Sequence, residues 1–265
     1  MKEQILGGLR RLITEVLAVK KPVANIKNSA LYDELVQTVI AADDICRGQL
    51  NVGNDDINAI LPVAVKIRTA IDRLWAKQVI DAEESLIELR NYPYLDDYWL
   101  QINRELTLAH LTGAHVDDKS RILIIGDSAL PLTTCQILQQ TGAWVDELYY
   151  DDTDRELASG VARVLGLATH SEFLPSRPDK AELTNDYDLI VVNPDLTNDL
   201  IATIANVLPH LRLGGRLLLR SADNARKLLA PVVDMAQLGG LQLLATFQPT
   251  DNIINSTLVL RRSNG

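Results

Sequence analysis

The sequence predicts an α/β fold: a mostly parallel sheet with helices on both faces, preceded by an all-helical region. Three observations carry this. Up to about residue 118, apolar residues recur at helical spacing and nothing alternates like a strand. Beyond it, short aliphatic runs alternate with helical stretches, the order that builds a parallel sheet covered on both sides. The run Ile122–Ile125 ends at Gly126 just before a helical pattern, as a buried parallel strand does when it turns into a helix beside a ligand.

In chain order, Ile5, Leu9, Leu12 and Val16 form one helical stripe, and Pro22 stops it. Asn28-Ser29 reads as the cap of a second helix striped by Leu31, Leu35 and Val39. Residues 48–58, rich in Asn, Asp and Gly, read as a loop. Ile67, Ile71 and Leu74 mark a third helix, with Arg68 and Arg73 beside the stripe. Trp99, Ile102, Leu106 and Ala109 mark another, entered through Tyr92-Pro93-Tyr94-Leu95-Asp96-Asp97. Strands are then expected at 122–125, 147–150, 189–192, 216–219, 241–247 and 256–260. Helices are expected at about 131–141, 153–165, 198–211 and 223–238. The last two strands have no helix between them and are expected to pair antiparallel. The chain therefore divides into a helical lid domain, 1–117, and an α/β domain, 118–265.

With 265 residues and a formal net charge of −9, the chain has no basic footprint for nucleic-acid backbones. Cys46 and Cys135 lie far apart and read as buried thiols. The four histidines have no ligand spacing, so no metal site is expected. No stretch resembles a signal peptide, and no apolar run reaches the roughly 18 to 20 residues of a membrane span. A cytoplasmic protein is expected.

The loop after Ile125 is the main candidate site. Gly126 permits a sharp turn and close ligand approach, and the following helix start is expected to offer free N–H donors. Ser128 and Pro131 stand where a dinucleotide fingerprint needs glycine, and no Gly-Lys-Ser/Thr follows, so pyrophosphate binding is excluded. A cofactor with a ribose and an amino acid end fits better. Its candidate ligands are Gly126, Asp127, Ser128, Leu130, Pro131 and Thr133, with Tyr150 and Asp151 after the second strand and Asn193 after the third. A carboxylate such as Asp151 is acceptor-only and suits ribose hydroxyls, although Asp-Asp-Thr-Asp also caps a helix. Asn193-Pro194 shares two residues with the Asn/Asp-Pro-Pro-aromatic motif of amino methyltransferases but lacks the second proline and the aromatic, so a simple turn is the preferred reading. Tyr98, Ile102 and Glu105 share a helix face, so Tyr98 and Glu105 are candidates to bind and deprotonate an amine, although periodicity alone favours a solvated Glu105 at the stripe edge. Arg220, at the C-terminal end of a strand and followed by Ser221, suits a substrate carboxylate.

Several motifs in order resemble the nicotianamine synthase family. Gly126-Asp-Ser-Ala-Leu-Pro-Leu-Thr133 resembles its Gly-(Ser/Gly)-Gly-Pro-Leu-Pro-Leu-Thr loop. Arg220-Ser-Ala-Asp-Asn-Ala-Arg226 and Pro231-Val-Val-Asp234 resemble its Arg-Ser-Ala-x-Gly-Ala-Arg and Pro-(Val/Ile)-Val-Asp run. Phe247-Gln-Pro-Thr-Asp251 with Ile254-Asn-Ser256 is similar to its His-Pro-x-Asp and Asn-Ser ending, and Tyr150-Asp151 to its Asn-Tyr-Asp. Upstream, Pro93-Tyr94, Tyr98 and Glu105 fall at the family's spacing, with Asp97 where its asparagine stands. Departures are Ser128 and Ala129 for a glycine and a proline, Asp223-Asn224 for His-Gly, and Gln248 for a histidine.

The resemblance implies a class I methyltransferase-like Rossmann domain that binds S-adenosylmethionine as co-substrate. It implies transfer of the 3-amino-3-carboxypropyl (aminobutyrate) arm to an amine, with release of 5′-methylthioadenosine. It places Tyr98 and Glu105 in catalysis, and Tyr94, Asp97, Arg220 and Ser221 around a small amino acid acceptor. The chain looks most like the bacterial enzymes that begin opine-type metallophores such as staphylopine, pseudopaline and yersinopine, which implies histidine as acceptor. No nucleic acid or membrane partner is expected, and a homodimer is left open. A small-molecule N-methyltransferase or a non-catalytic S-adenosylmethionine-binding protein are the rival readings.

Overall fold

The computed structural model describes residues 2–46, 50, 52–82, 107, 111–112, 114–196, 199–248 and 253–263. Three helices come first: α1 (Lys2–Leu17), α2 (Ile26–Cys46) and α3 (Asn54–Ala82). In α1, Leu9, Leu12 and Val16 are buried, as the stripe requires. The cap of α2 is Asn25 rather than Asn28-Ser29, because the Asn25 side chain accepts the Asn28 N–H at 2.8 Å. Asn28 instead lies inside the first turn, and its amide donates to the carbonyls of Lys21 and Val23. The expected loop at 48–58 is shorter than predicted, since α3 begins at Asn54 with Asp55 and Asp56 favourably placed against the helix dipole. Ile60, Ala64, Ile67, Ile71, Trp75 and Val79 make its buried face. Leu74 is exposed, because Trp75, four residues after Ile71, fills the position the pattern had given to it. The helix expected around Trp99, Ile102, Leu106 and Ala109 lies outside the described residues.

The second half supplies β1 (Arg121–Ile125), α4 (Leu132–Thr141), β2 (Trp144–Leu148), α5 (Asp152–Val164), β3 (Ser171–Leu174), β4 (Tyr187–Val192), α6 (Leu200–Val207), β5 (Leu211–Ser221), β6 (Leu241–Phe247) and β7 (Ser256–Arg262). The sheet order is β3-β2-β1-β4-β5-β7-β6. Strands β3 to β5 run parallel, and β7 enters antiparallel between β5 and β6. Central β1 is aliphatic on both faces, with Ile122, Leu123, Ile124 and Ile125 all buried.

Four expectations are corrected. Strand β3 was not foreseen, because Ser-Glu-Phe-Leu has neither an aliphatic run nor a clear alternation. Strand β2 starts earlier and stops at Leu148, leaving Tyr149 and Tyr150 beyond the strand. The helix expected at 198–211 ends at Val207, where Pro209 turns the chain into a short 3-10 segment. The helix expected at 223–238 does not form. Two 3-10 turns, Asn224–Leu228 and Met235–Gln237, flank Pro231, which lacks an N–H and disfavours helical backbone before it.

The two halves share one apolar core. Leu12, Leu35, Ile67 and Trp75 cluster with Ala129, Leu130 and Leu132 of the segment after β1, Val161 of α5 and Leu228. Helices α3 and α5 approach so closely that a Cβ on Gly160 would lie 2.7 Å from Ile80 Cδ1. Cys46 and Cys135 are both free and buried. Arg226, 4% exposed, locks the junction: its Nε donates to Asp43 Oδ2 at 2.8 Å, Nη2 to Asp44 Oδ1 at 3.1 Å, and Nη1 to the Ile253 carbonyl. Arg226→Ala would strand Asp43 inside the junction, so a loss of about 3–5 kcal/mol is expected in denaturant titrations. A loss under about 1 kcal/mol, the scale of an exposed pair, would contradict this.

Candidate functional site

The site is built where β1, β2 and β4 end. Gly126 has φ +73°, a left-handed conformation that disfavours a side chain. Its N–H donates to the Leu148 carbonyl at 3.2 Å, while the Asn193 N–H donates to the Ile125 carbonyl at 3.0 Å. The Asn193 amide also donates to the Gly126 carbonyl at 2.9 Å. The turn is thus stitched to its neighbours on both sides before any ligand arrives.

Next comes Asp127. Its carboxylate accepts the Ser128 N–H at 3.0 Å, and at the start of α4 the Leu132 N–H donates to the Leu130 carbonyl at 2.8 Å. The helix start expected to offer free donors is therefore partly satisfied by the chain itself, a correction to the sequence reading. Pro131 occupies the cap position without a side-chain bond. Ser128 Oγ donates to the Leu130 carbonyl at 2.8 Å, and Leu130 anchors the loop in the shared core. Buried Thr133 accepts from Arg220 Nη2 at 3.0 Å. Arg220 Nε and Asp127 Oδ2 are both buried with no hydrogen-bond partner among the described residues.

Helix α3 faces this loop with charge. Arg68 pairs with Asp195 at 2.6 Å. Burial pushes the Asp72 carboxyl up to about 7; Arg68 and the Ser128 hydroxyl oppose the shift, and Asp127 and Asp154 add to it. Burial pushes Asp127 up to about 6 against the pull of Arg220. The Arg220 guanidinium is itself lowered by burial, partly offset by Asp127 and Asp195. On β2, fully buried Glu147 is pushed up to about 8 by burial and by Asp127. Carboxyls and arginines thus act on one another around this loop, a setting that can hold an ammonium and a carboxylate together.

Asp151 does cap α5, accepting from Thr153 and Asp154 N–H through Oδ1. Its other oxygen, Oδ2, pairs with Arg73 at 3.0 Å, and Arg73 also binds Asp154 at 2.6 Å. Tyr150 hydrogen-bonds Thr203, and the Arg177 guanidinium lies 5.4 Å from its ring centre. Ser221 stands apart from the cleft chemistry, because its buried hydroxyl accepts the Val233 N–H at 3.0 Å. Tyr94, Asp97, Tyr98 and Glu105 lie outside the described residues. Among the described residues no group of three or more His, Cys, Asp or Glu side chains is arranged to hold a metal.

Asp72 and Glu147 were missed from the sequence. Each left a signal: Arg68 and Asp72 are four apart at the edge of a buried stripe, and Asp146-Glu147 interrupts an otherwise apolar strand of a parallel sheet.

The family model described as nicotianamine synthase protein matches residues 3–265. Nicotianamine synthase of Solanum lycopersicum is 25% identical over 243 residues, 88% of this chain and 76% of that protein. Nicotianamine synthase 3 of Oryza sativa subsp. indica is 24% identical over 279 residues, 98% and 80% of the two chains. Among solved structures, a glutamate-to-glutamine mutant of MtNAS in complex with S-adenosylmethionine is similar at TM-score 0.78 and 16% identity, covering 97% of both chains. MtNAS in complex with MTA and tNA has TM-score 0.76 at 17% identity, covering 97% of this chain and 98% of that one. The mitomycin 7-O-methyltransferase MmcR has TM-score 0.51 at 15% identity, covering 89% and 87%. These likenesses show the fold, a class I methyltransferase-like sheet with an N-terminal helical region.

The Asp72 carboxyl gives stability a signed pH dependence. Its folded value of about 7 lies above the ordinary value, so the unfolded chain ionises first. Its contribution therefore falls as pH rises from about 4 to about 7 and is flat beyond. Asp72→Asn removes that decline. Its urea midpoint, relative to the parent, should be higher at pH 8 than at pH 5; an equal offset at both would contradict the buried carboxyl.

Proposed function

This chain belongs to the nicotianamine synthase family, and on that premise we propose that it transfers the 3-amino-3-carboxypropyl arm of S-adenosylmethionine to the amine of an amino acid, releasing 5′-methylthioadenosine. The observation that carries the reading is the family match through both halves, residues 3–265. In support, helix α3 of the first half brings Arg68 to Asp195 after β4 and Asp72 within the influence of Asp127 and Ser128 after β1.

The residues fit this co-substrate. The left-handed turn at Gly126 leaves room for close approach, and Asn193 fixes its carbonyl. Asp127 Oδ2, buried without a partner among the described residues, suits the ammonium of the co-substrate's amino acid end, and Arg220 Nε, likewise buried and unpartnered there, is left for a carboxylate of the acceptor. Asp151, with Tyr150 beside it, would take ribose hydroxyls through Oδ2, shared with Arg73.

The sulfonium supplies three electrophilic carbons, so the protein's task is to decide which one faces the nucleophile. The acceptor amine must be neutral to attack, whereas most α-amines are protonated at pH 7. Glu105 is proposed to orient the ammonium and take its proton, with Tyr98 as second partner. Tyr94, Asp97 and Arg220 are proposed to hold the acceptor, and residues 1–117 to act as the lid over residues 118–265. Ser221 is less suited to that role, since its hydroxyl is committed to Val233. Histidine as acceptor, and a place at the start of an opine-type metallophore, follow the likeness to the bacterial enzymes. The methyltransferase reading leaned on Asn193-Pro194, and the Asn193 amide is committed to the Gly126 carbonyl.

Incubating the protein with S-adenosylmethionine and histidine is expected to yield methylthioadenosine and a product heavier by one aminobutyrate unit. S-adenosylhomocysteine with a methylated product would overturn arm transfer. Methylthioadenosine formed only with another amino acid would replace histidine and keep the reaction.

A further inference from the structure

Beneath the loop lies a buried group that the proposed reaction does not use. Glu147 sits on β2 with its side chain fully buried. The Tyr149 hydroxyl is 2.5 Å from Glu147 Oε2 and 3.5 Å from the Ser128 carbonyl oxygen. Tyr149 is held between them, its ring stacked on Phe173 with centroids 6.3 Å apart. Glu147 Oε1 is buried without a hydrogen-bond partner among the described residues. A carboxyl in such a place costs stability that an apolar side chain of similar size would not.

The tyrosine has one proton and two acceptors within reach. When Glu147 is protonated, its O–H can donate to Tyr149, which leaves the tyrosine proton for the Ser128 carbonyl. When Glu147 is ionised, Tyr149 must turn its proton to the carboxylate and release the loop. We propose that Glu147 is a positioning residue whose protonated carboxyl, acting through Tyr149, holds the Ser128 carbonyl and with it the loop that binds S-adenosylmethionine. This rests on the reading of the loop as the S-adenosylmethionine site.

The surroundings favour the protonated form. The charge acting on Glu147 is the Asp127 carboxylate, with the Thr134 and Tyr149 hydroxyls opposing its effect. Cys135 on α4 is a buried thiol pushed up by burial and by both carboxyls, and Asp154 acts on Tyr149. The cations Arg220 and Arg68 act on Asp127. With its proton lost only near pH 8, Glu147 keeps the loop in place at neutral pH and lets it slacken above.

The test is the dissociation constant of S-adenosylmethionine, measured by calorimetry from pH 6.5 to 9.5 on the intact protein, Glu147→Gln and Tyr149→Phe. The glutamine amide donates to Tyr149 at every pH, as the protonated acid does. The intact protein should weaken by about tenfold across the range, about 1.4 kcal/mol, beyond any change seen in Glu147→Gln. Titration of the ligand's own amine is common to both. Tyr149→Phe should bind weakly throughout and show no Glu147-dependent step. Identical pH profiles for the intact protein and Glu147→Gln would overturn the proposal, as would weak binding by Glu147→Gln already at pH 7 with an intact thermal transition. Absence of S-adenosylmethionine binding by the intact protein at every pH would instead sink the functional reading beneath it.

Discussion

The site depends on one constraint: helix α3 sets its charges against the segments that leave β1, β2 and β4. Arg68 reaches Asp195, Asp72 lies within the influence of the Ser128 hydroxyl and the Asp127 charge, and Arg73 reaches Asp151 and Asp154. Asp72 lies on α3 itself, whereas Asp195, Asp151 and Asp154 come from segments beyond the C-terminal ends of β4 and β2. Removing these groups from water is costly, and the cost is offset only when the partners are fixed. The shared apolar core supplies that fixing, with Leu130 on one side and Ile67 and Trp75 on the other. Arg226 adds a second clamp from the far side of the junction.

Such an arrangement favours function over stability. Asp72, Asp127 and Glu147 are all pushed upward chiefly by burial, so each would be more comfortable in water at neutral pH. Raised carboxyls beside two arginines form a field that suits a zwitterion, and the buried Asp127 Oδ2 and Arg220 Nε mark where such a ligand would repay the desolvation. A ligand bound there would meet fixed dipoles rather than a reorganising shell.

Much of the fold was legible because its signals are local. The aliphatic run into Gly126, the alternation after residue 118 and the unlinked final strands each follow from periodicity and turn chemistry, and β1, β4, β6 and β7 stand where those signals put them. Where tertiary contacts decide, the sequence was less informative. The stretch 223–238 has helical spacing, yet Pro231 and the anchoring of Arg226 to Asp43 hold it in two short turns. The Asn25 cap was missed because Asn28-Ser29 looks equally good without knowing that Asn28 ties back to Lys21 and Val23. The loop after Gly126 was found from its motif, whereas its partners Asp72 and Glu147 were not. The Arg68/Asp72 spacing and the Asp146-Glu147 pair in β2 mark them faintly, and burial against elements distant in sequence gives those marks their meaning.

The helical half and the sheet are proposed to build one ligand site between them. A double-mutant cycle between Asp72→Asn and Ser128→Ala, read as S-adenosylmethionine affinity, tests it most directly. Coupled residues in one polar network are expected to deviate from additivity by about 0.5–3 kcal/mol. Additive effects within about 0.3 kcal/mol, with both variants folded, would mean that α3 only packs beside the site and takes no part in it.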